Sequence, residues 1–394
     1  METGAQSSAA FPRELLEQPV NLRRQYFETK VVAHHHLKEV HEKLLHAIRY
    51  PAGASLILVF GPTGVGKTTM RLRIEKQLID DAVTEQLGSP GHIPVVGMEA
   101  PSPDSGNFSW RDFYTRALVA LHEPMITHKM TSELRGLHQD DQGRLIIERN
   151  VTAPDLRRVL EKCLLYRQPR AFILDEAQHL KKMTSGRRLL DQMDTLKSLA
   201  SLSNTVHVLV GTYDLLGVMN LSAQLSRRSI DIHFPRYHAD SSEDFKEFRK
   251  LLRTFQRHLP LTQEPDLVSH ADYFYEHCLG CTGMLKTWLN RTLAAALEQQ
   301  ERTLPPKLWE RHAESPQKLL HMVREIREGE RTLQEDDTHR RDLRALLKLA
   351  EPSVEDGSSL PSSQPPSSPR SKRQRVGQRR AKRDPVGKED LRAR

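Results

Sequence analysis

Gly61-Pro62-Thr63-Gly64-Val65-Gly66-Lys67-Thr68, preceded by Leu-Ile-Leu-Val-Phe at 56–60 and followed by Thr69 and the periodic apolar positions Met70, Ile74 and Leu78, is the stretch that decides the fold. It fills the pattern G-x-x-x-x-G-K-[ST] at every position, which average composition would give about 0.01 times by chance in a chain this long. The apolar run before it reads as a buried strand, and the spacing after it as an amphipathic helix. Between the two, glycines let successive backbone N–H groups converge on phosphate, and the helix N-terminus adds the positive end of its dipole. Residues Gly61 to Thr69 are therefore the candidate nucleotide-binding set. Lys67 is placed to reach the β- and γ-phosphates of ATP, and Thr68 to ligate Mg²⁺.

Outward from this loop, short apolar runs alternate with helical periodicity. Strands are expected at 94–98, 171–175, 206–210 and 230–234, and helices at 110–121, 156–165 and 189–202. A further amphipathic helix precedes the first strand, with Leu37, Val40, Leu44, Leu45 and Ile48 on one face. Fully apolar strands alternating with helices predict an α/β domain built on a mostly parallel sheet. Beyond Pro235 the strands stop. Phe245, Phe248, Leu251, Leu252 and Phe255 share one helix face, and two more helices follow, so a second, smaller all-α domain is expected.

The run Ala171-Phe172-Ile173-Leu174-Asp175-Glu176 is an apolar strand ending in two carboxylates. One suits the Mg²⁺ shell and the other can polarise an attacking water, which assigns Asp175 to the metal and Glu176 to catalysis. The strand Val206-His207-Val208-Leu209-Val210 ends in Gly211-Thr212, where the Thr212 hydroxyl could orient that water. Arg227 and Arg228 stand just before the last strand, where one of them could reach the γ-phosphate in a neighbouring subunit. In the helical domain, Lys286 lies one turn into a helix opened by Gly280-Cys281-Thr282-Gly283 and is a candidate phosphate contact.

Charge is unevenly distributed. The 394 residues hold 59 Lys and Arg against 51 Asp and Glu, a net +8. From Pro352 onward there are 11 basic and 5 acidic residues, a local +6, which leaves +2 for the rest. The body is nearly neutral, so bulk charge does not mark it as a nucleic-acid binder. The Ser/Pro-rich stretch 352–369 and the run SKRQRVGQRRAKR after it lack the apolar content to offset ordering entropy, and a disordered tail is expected that docks a protein partner or DNA. No apolar run approaches the roughly 18 residues of a membrane span. Residues 1–20 carry Glu2, Glu14 and Glu17 without an apolar core, so no secretory leader is expected. Three cysteines provide no disulfide framework and fit a reducing cytosol. Cys278 and Cys281 beside His277 lack a second pair for zinc, and His34-His35-His36 at the start of an amphipathic helix reads as structural.

Taken in order, FGPTGVGKTT, ILDEAQHL, the LVGTYDL strand end, AQLSRRSIDIHFPRY and GCTGMLKTWLNRTLAAAL resemble an AAA+ ATPase, and within that class the TnsC/TniB group of transposition regulators. The resemblance spans about residues 30 to 300. It implies an AAA+ P-loop ATPase domain over 31–238 and a helical lid over 239–302, flanked by an N-terminal extension (1–30), charged helices (303–351) and the basic tail (352–394). The resemblance makes Thr212 sensor 1, Arg227 or Arg228 an arginine finger and Lys286 sensor 2, a place more often held by arginine. It implies a bacterial, nucleoid-associated protein in the cytoplasm that forms ATP-dependent homo-oligomeric rings or filaments on duplex DNA. Such proteins link a target selector of the TniQ/TnsD type, in some elements a guide-RNA complex, to a transposase of the TnsB/TniA type. DNA would meet the strand-to-helix loops, through Arg111 in 107–116 and through Lys181, Lys182, Arg187 and Arg188. A replication initiator or helicase loader shares every catalytic motif but usually appends a winged-helix domain after the lid, whereas residues 300–350 read as charged helix. A DNA-independent NTPase switch is a further alternative, and a metabolic kinase lacks an acceptor pocket.

Overall fold

The structure, a computed structural model, describes residues 10–85, 91–102, 108–121, 137–139, 145–147, 152–181, 186–219, 227–334 and 337–349. Lys182, the Ala223–Ser226 part of the AQLSRR run and the basic tail lie outside these residues. The side chains of Lys181, Arg187 and Arg188 are likewise not described.

The first compact unit, Met1–Gln334, opens with a 3₁₀ turn and helices α1 (Val20–Thr29) and α2 (His35–Arg49). Strand β1 (Leu56–Phe60) leads into α3 (Lys67–Thr84), and β2 (Val95–Glu99) into α4 (Trp110–Ala120). A short antiparallel ribbon of β3 (Leu137–Gln139) and β4 (Leu145–Ile147) precedes α5 (Ala153–Arg167). Then come β5 (Ala171–Asp175), α6 (Gly186–Ser203), β6 (Val206–Gly211), the short α7 (Leu216–Met219) and β7 (Ser229–His233). The remaining helices are α8 (Ser242–His258), α9 (Ala271–Cys278), α10 (Thr282–Glu298), α11 (Pro306–His312) and α12 (Pro316–Leu333). Helix α13 (Asp337–Leu346) belongs to a second unit, Glu335–Arg394. Among the described residues no helix is long and apolar enough to cross a membrane.

Five strands form one all-parallel sheet in the order β2-β5-β6-β1-β7. Successive strand residues point to opposite faces, and here both faces are buried. Leu56, Leu58, Phe60, Phe172 and Leu174 pack with α4, α5 and α6. Ile57, Val59, Ile173, Val208 and Val210 pack with α2 and α3. Parallel pairing puts every strand's carboxyl end on one edge, with Phe60 opposite both Gly211 and His233 and Glu99 opposite Asp175. The crevice outside that edge, where β1 sits among strands reached by crossovers, is where open α/β sheets bind ligands. The mostly parallel P-loop sheet and the all-α unit after it are as the sequence implies.

The helical part has its own core, in which Phe248, Leu252, Phe255 and Phe274 surround Trp288 and Leu289. The N-terminal extension contributes to it. Phe27 of α1 is fully buried there, its ring centroid 6.2 Å from that of Phe255, and the Arg23 guanidinium donates to the Pro260 carbonyl.

Candidate nucleotide site

The loop after β1 turns through two left-handed glycines, Gly64 at φ +78° and Gly66 at φ +110°, a backbone region that L side chains rarely adopt. Those two residues make the tight turn that leads into α3. The Lys67 side chain is 7% exposed, and its ammonium donates to the carbonyls of Gly61 (3.0 Å) and Pro62 (2.8 Å). Burial lowers its pKa while the nearby charges of Glu176 and Asp175 oppose that shift. Thr68 follows on the first turn, and its hydroxyl donates to Asp175 Oδ2 at 2.9 Å. A hydroxyl and a carboxylate so paired are hard oxygen donors of the kind Mg²⁺ takes. The left-handed glycine turn, the buried cation and this pair fit a Mg²⁺–nucleoside triphosphate.

Two partners of the acidic pair were not read from the sequence. Arg71, one turn beyond Lys67, puts Nε 3.5 Å from Asp175 Oδ2 and Nη1 3.2 Å from Glu75 Oε1. Its signal was the i, i+4 spacing from Lys67 on one face of α3. Gln178 is the other. Its amide nitrogen donates to Glu176 Oε2 at 2.5 Å, and its amide oxygen accepts from the Thr212 backbone N–H at 3.3 Å. Glu176 itself sits at φ +52°, a left-handed conformation that costs a non-glycine residue about 1–2 kcal/mol. Glu176 and Thr212, the residues just after strands β5 and β6, are therefore joined through one side chain.

The Thr212 hydroxyl caps the turn that follows, accepting from the Asp214 N–H at 3.4 Å. The next residue, Tyr213, bonds His233 Nε2 through its hydroxyl at 2.9 Å and lies against Gly329 of α12. Helix α12 is fixed there by Glu330, whose carboxylate takes two bonds from Arg236 at 2.8 and 3.1 Å. Arg236 also donates to the Tyr275 hydroxyl and the Leu279 carbonyl.

The lid meets the loop directly. The Gly64 carbonyl accepts from the backbone N–H groups of Gly283 (2.6 Å) and Met284 (3.1 Å) at the start of α10. Beside that contact a cleft is lined by Val31, Val32, Val65, Thr69, Thr282 and Lys286. The sequence reading of Lys286 as a phosphate contact is not met in this arrangement. Its ammonium donates to the Phe27 carbonyl and sits 3.7 Å over the Phe27 ring, and burial lowers its pKa to about 7. The physical reason is α1, whose packing into the lid offers Lys286 a carbonyl and an aromatic face.

Arg227 and Arg228 are not brought to this site. The Arg228 carbonyl accepts from the Ser55 and Leu56 N–H groups, which places the pair at the amino edge of the sheet. Five residues of extended strand, about 16 Å, separate that edge from the loop after Phe60. Both arginines are exposed. Thr63, at the loop tip, is exposed as well, while Pro62 and Val65 are buried. Arg111, the candidate DNA contact that is fully described, is exposed in the first turn of α4.

Residues 49–219 match the sequence model of the AAA domain. This stretch has the P-loop fold of AAA domains. The match takes in the loop, Asp175, Glu176, Gln178 and Thr212. No curated protein matches the sequence. Among solved structures, the ORC2 protein of Aeropyrum pernix in its ADP form is 16% identical, with 73% of this chain and 71% of that chain covered at a TM-score of 0.50. The Aeropyrum pernix ORC1 protein in complex with DNA is 17% identical over 78% and 70% of the two chains, at 0.47. Drosophila ORC bound to DNA is 12% identical over 89% and 85%, at 0.46. At such identities the likeness to ORC2 is one of fold, and it extends beyond the AAA domain.

Proposed function

We propose that the protein is an AAA+ ATPase that binds Mg²⁺–ATP between the loop and the lid and uses its hydrolysis as a conformational switch. The observation that carries this reading is the convergence of Lys67, Thr68, Asp175, Glu176 and the Gln178–Thr212 link at one sheet edge. The loop amides and Lys67 hold the triphosphate, and Thr68 with Asp175 holds the Mg²⁺, which when bound neutralises charge on the phosphate oxygens. Glu176 accepts the proton of the attacking water, and Gln178 fixes that carboxylate relative to Thr212. Val31, Val32 and Val65 in the neighbouring cleft offer apolar surface for the base. Arg227 or Arg228, remote from its own loop, serves a neighbouring subunit's nucleotide, so the active form is an oligomer.

Of the DNA-linked readings, the replication-initiator or helicase-loader type has the better support. The fold likeness to ORC2 covers 73% of this chain, more than the AAA domain alone. The transposition-regulator reading, with duplex DNA, a transposase and a target selector as partners, rests on the motif resemblance. After the lid, the described residues are helical, and α12 packs on the Tyr213 turn, so no separate DNA-reading domain is assigned there. Arg111, Lys181, Lys182 and Arg187 remain the proposed DNA contacts.

The test is ATP turnover by the full chain and its Glu176→Gln variant, each with and without duplex DNA at two salt concentrations. Turnover in the wild type, lost in the variant while ATP is still bound, is expected. Wild-type turnover in Glu176→Gln would remove the proposed base. Turnover and assembly indifferent to duplex would leave the ATPase in place and replace DNA by a protein partner, in keeping with the nearly neutral body.

A further inference from the structure

The amino end of α2 carries a cluster that the nucleotide site does not use. His35, His36 and Glu39 place one ligand atom each within 4.8 Å of one another. His36 is 6% exposed, and neither of its ring nitrogens has a hydrogen-bond partner. Two unpartnered nitrogens in a buried ring are costly, and such a ring points to a ligand. The nearest charged group from another element is Asp244 of α8, whose Oδ1 lies 3.5 Å from His36 Nε2. Glu39 has divided its oxygens, with Oε1 taken by Lys43 at 2.7 Å and Oε2 facing His35 Nε2 at 3.9 Å.

We propose that His35, His36 and Glu39 form a binding site for a divalent transition-metal ion of zinc-like chemistry, at the seam between α2 and the first lid helix α8. Two imidazoles and a carboxylate are a donor set that zinc accepts, with a fourth position left for water or Asp244. If His36 binds through Nε2, Asp244 is the fourth donor. If it binds through Nδ1, Asp244 receives the other N–H and orients the ring, the usual partnership of a metal-bound histidine. Donors around a tetrahedral zinc stand about 3.3 Å apart, so the cluster must contract slightly. His35 is exposed and Glu39 half-buried, which leaves both free to turn inward, whereas His36 and its backbone stay fixed. Because His36 belongs to α2 and Asp244 to α8, a bound ion would tie the α/β domain to the lid.

The experiment uses the full chain, freed of metal by chelation and kept free of nucleotide and Mg²⁺. Zn²⁺ is titrated by calorimetry, and Co²⁺ is titrated by visible absorption, which reports tetrahedral coordination. One ion per chain is expected, together with a Zn²⁺-dependent rise in the thermal midpoint. His35→Ala and Glu39→Gln, both at accessible positions, are each expected to weaken binding more than tenfold and to abolish that rise. His46→Ala, at an exposed histidine near the other end of α2, is expected to change neither. No Zn²⁺ bound by the wild type would overturn the proposal. Unchanged binding in both His35→Ala and Glu39→Gln would do the same.

Discussion

Replacing Gln178 by leucine roughly keeps the volume of the side chain and removes both of its hydrogen bonds. Gln178 is 9% exposed, so the space stays filled and the change is chiefly electrostatic. The bond to Glu176 Oε2, at 2.5 Å, is to a carboxylate, and bonds of that class contribute about 1.5–3 kcal/mol. If that energy holds the carboxylate where the transition state needs it, its loss slows turnover by about 10- to 100-fold, at 1.36 kcal/mol per tenfold. The bond to the Thr212 N–H, at 3.3 Å, is neutral and weaker, and its loss adds about 1 kcal/mol of instability by leaving that amide unpaired. Neither bond involves Lys67 or Thr68, so nucleotide affinity should be unchanged. Steady-state ATP turnover measured beside the Kd of a fluorescent ATP analogue separates the two effects. A fall in kcat with Kd constant is expected. Wild-type or raised kcat in Gln178→Leu would refute the positioning role, and a matching loss of affinity would show that the fold of the loop, not Glu176, was disturbed.

The remaining predictions concern the frame around the site. An added Cβ at Gly329 would fall 2.2 Å from Tyr213 Cγ, so Gly329→Ala, which stabilises an ordinary helix, should here cost about 1–3 kcal/mol, and a raised urea midpoint would contradict the packing of α12 on that turn. Burial lowers the pKa of His207 and of His233 to about 4 each, so both stay neutral in the folded chain while the unfolded chain takes up protons near pH 6.5. Their share of stability is thus whole above pH 6.5 and lost as pH falls toward 4, and His207→Gln should flatten the urea midpoint over that window. Lys67→Ala should lose ATP binding in a fluorescence titration. Mixing it with Arg227→Ala/Arg228→Ala protein should restore some turnover at shared interfaces, and no recovery would count against an arginine acting in trans.

The parts legible in the sequence were those whose chemistry is local. The loop, the strand ending in Asp175-Glu176 and the Thr212 strand end are each specified by a few consecutive residues, and the alternation of apolar runs gave the sheet. What escaped depends on partners far apart in the chain. Gln178 follows Glu176 by two residues, yet its reach to Thr212 needs the left-handed turn at Glu176 and the pairing of β5 with β6. Helix α12 reads as a charged surface helix because its anchor, Glu330, finds Arg236 across 94 residues. Helix α1 shows little amphipathic signal, since Val20 and Leu22 are exposed and Phe27 alone is buried. The Phe27 carbonyl beside Lys286 is another such partner, since nothing local to GCTGMLK announces it.

One carbonyl ties loop and lid together. Gly64 O receives two N–H groups from the first turn of α10, and Gly64 lies at a φ that glycine alone adopts comfortably. Rotating that single peptide turns the oxygen away from both donors at once. The angle of the loop and the seating of the lid are thereby coupled through these two bonds. A nucleotide that reorients this peptide would release the first turn of α10 from the loop by changing one pair of dihedral angles.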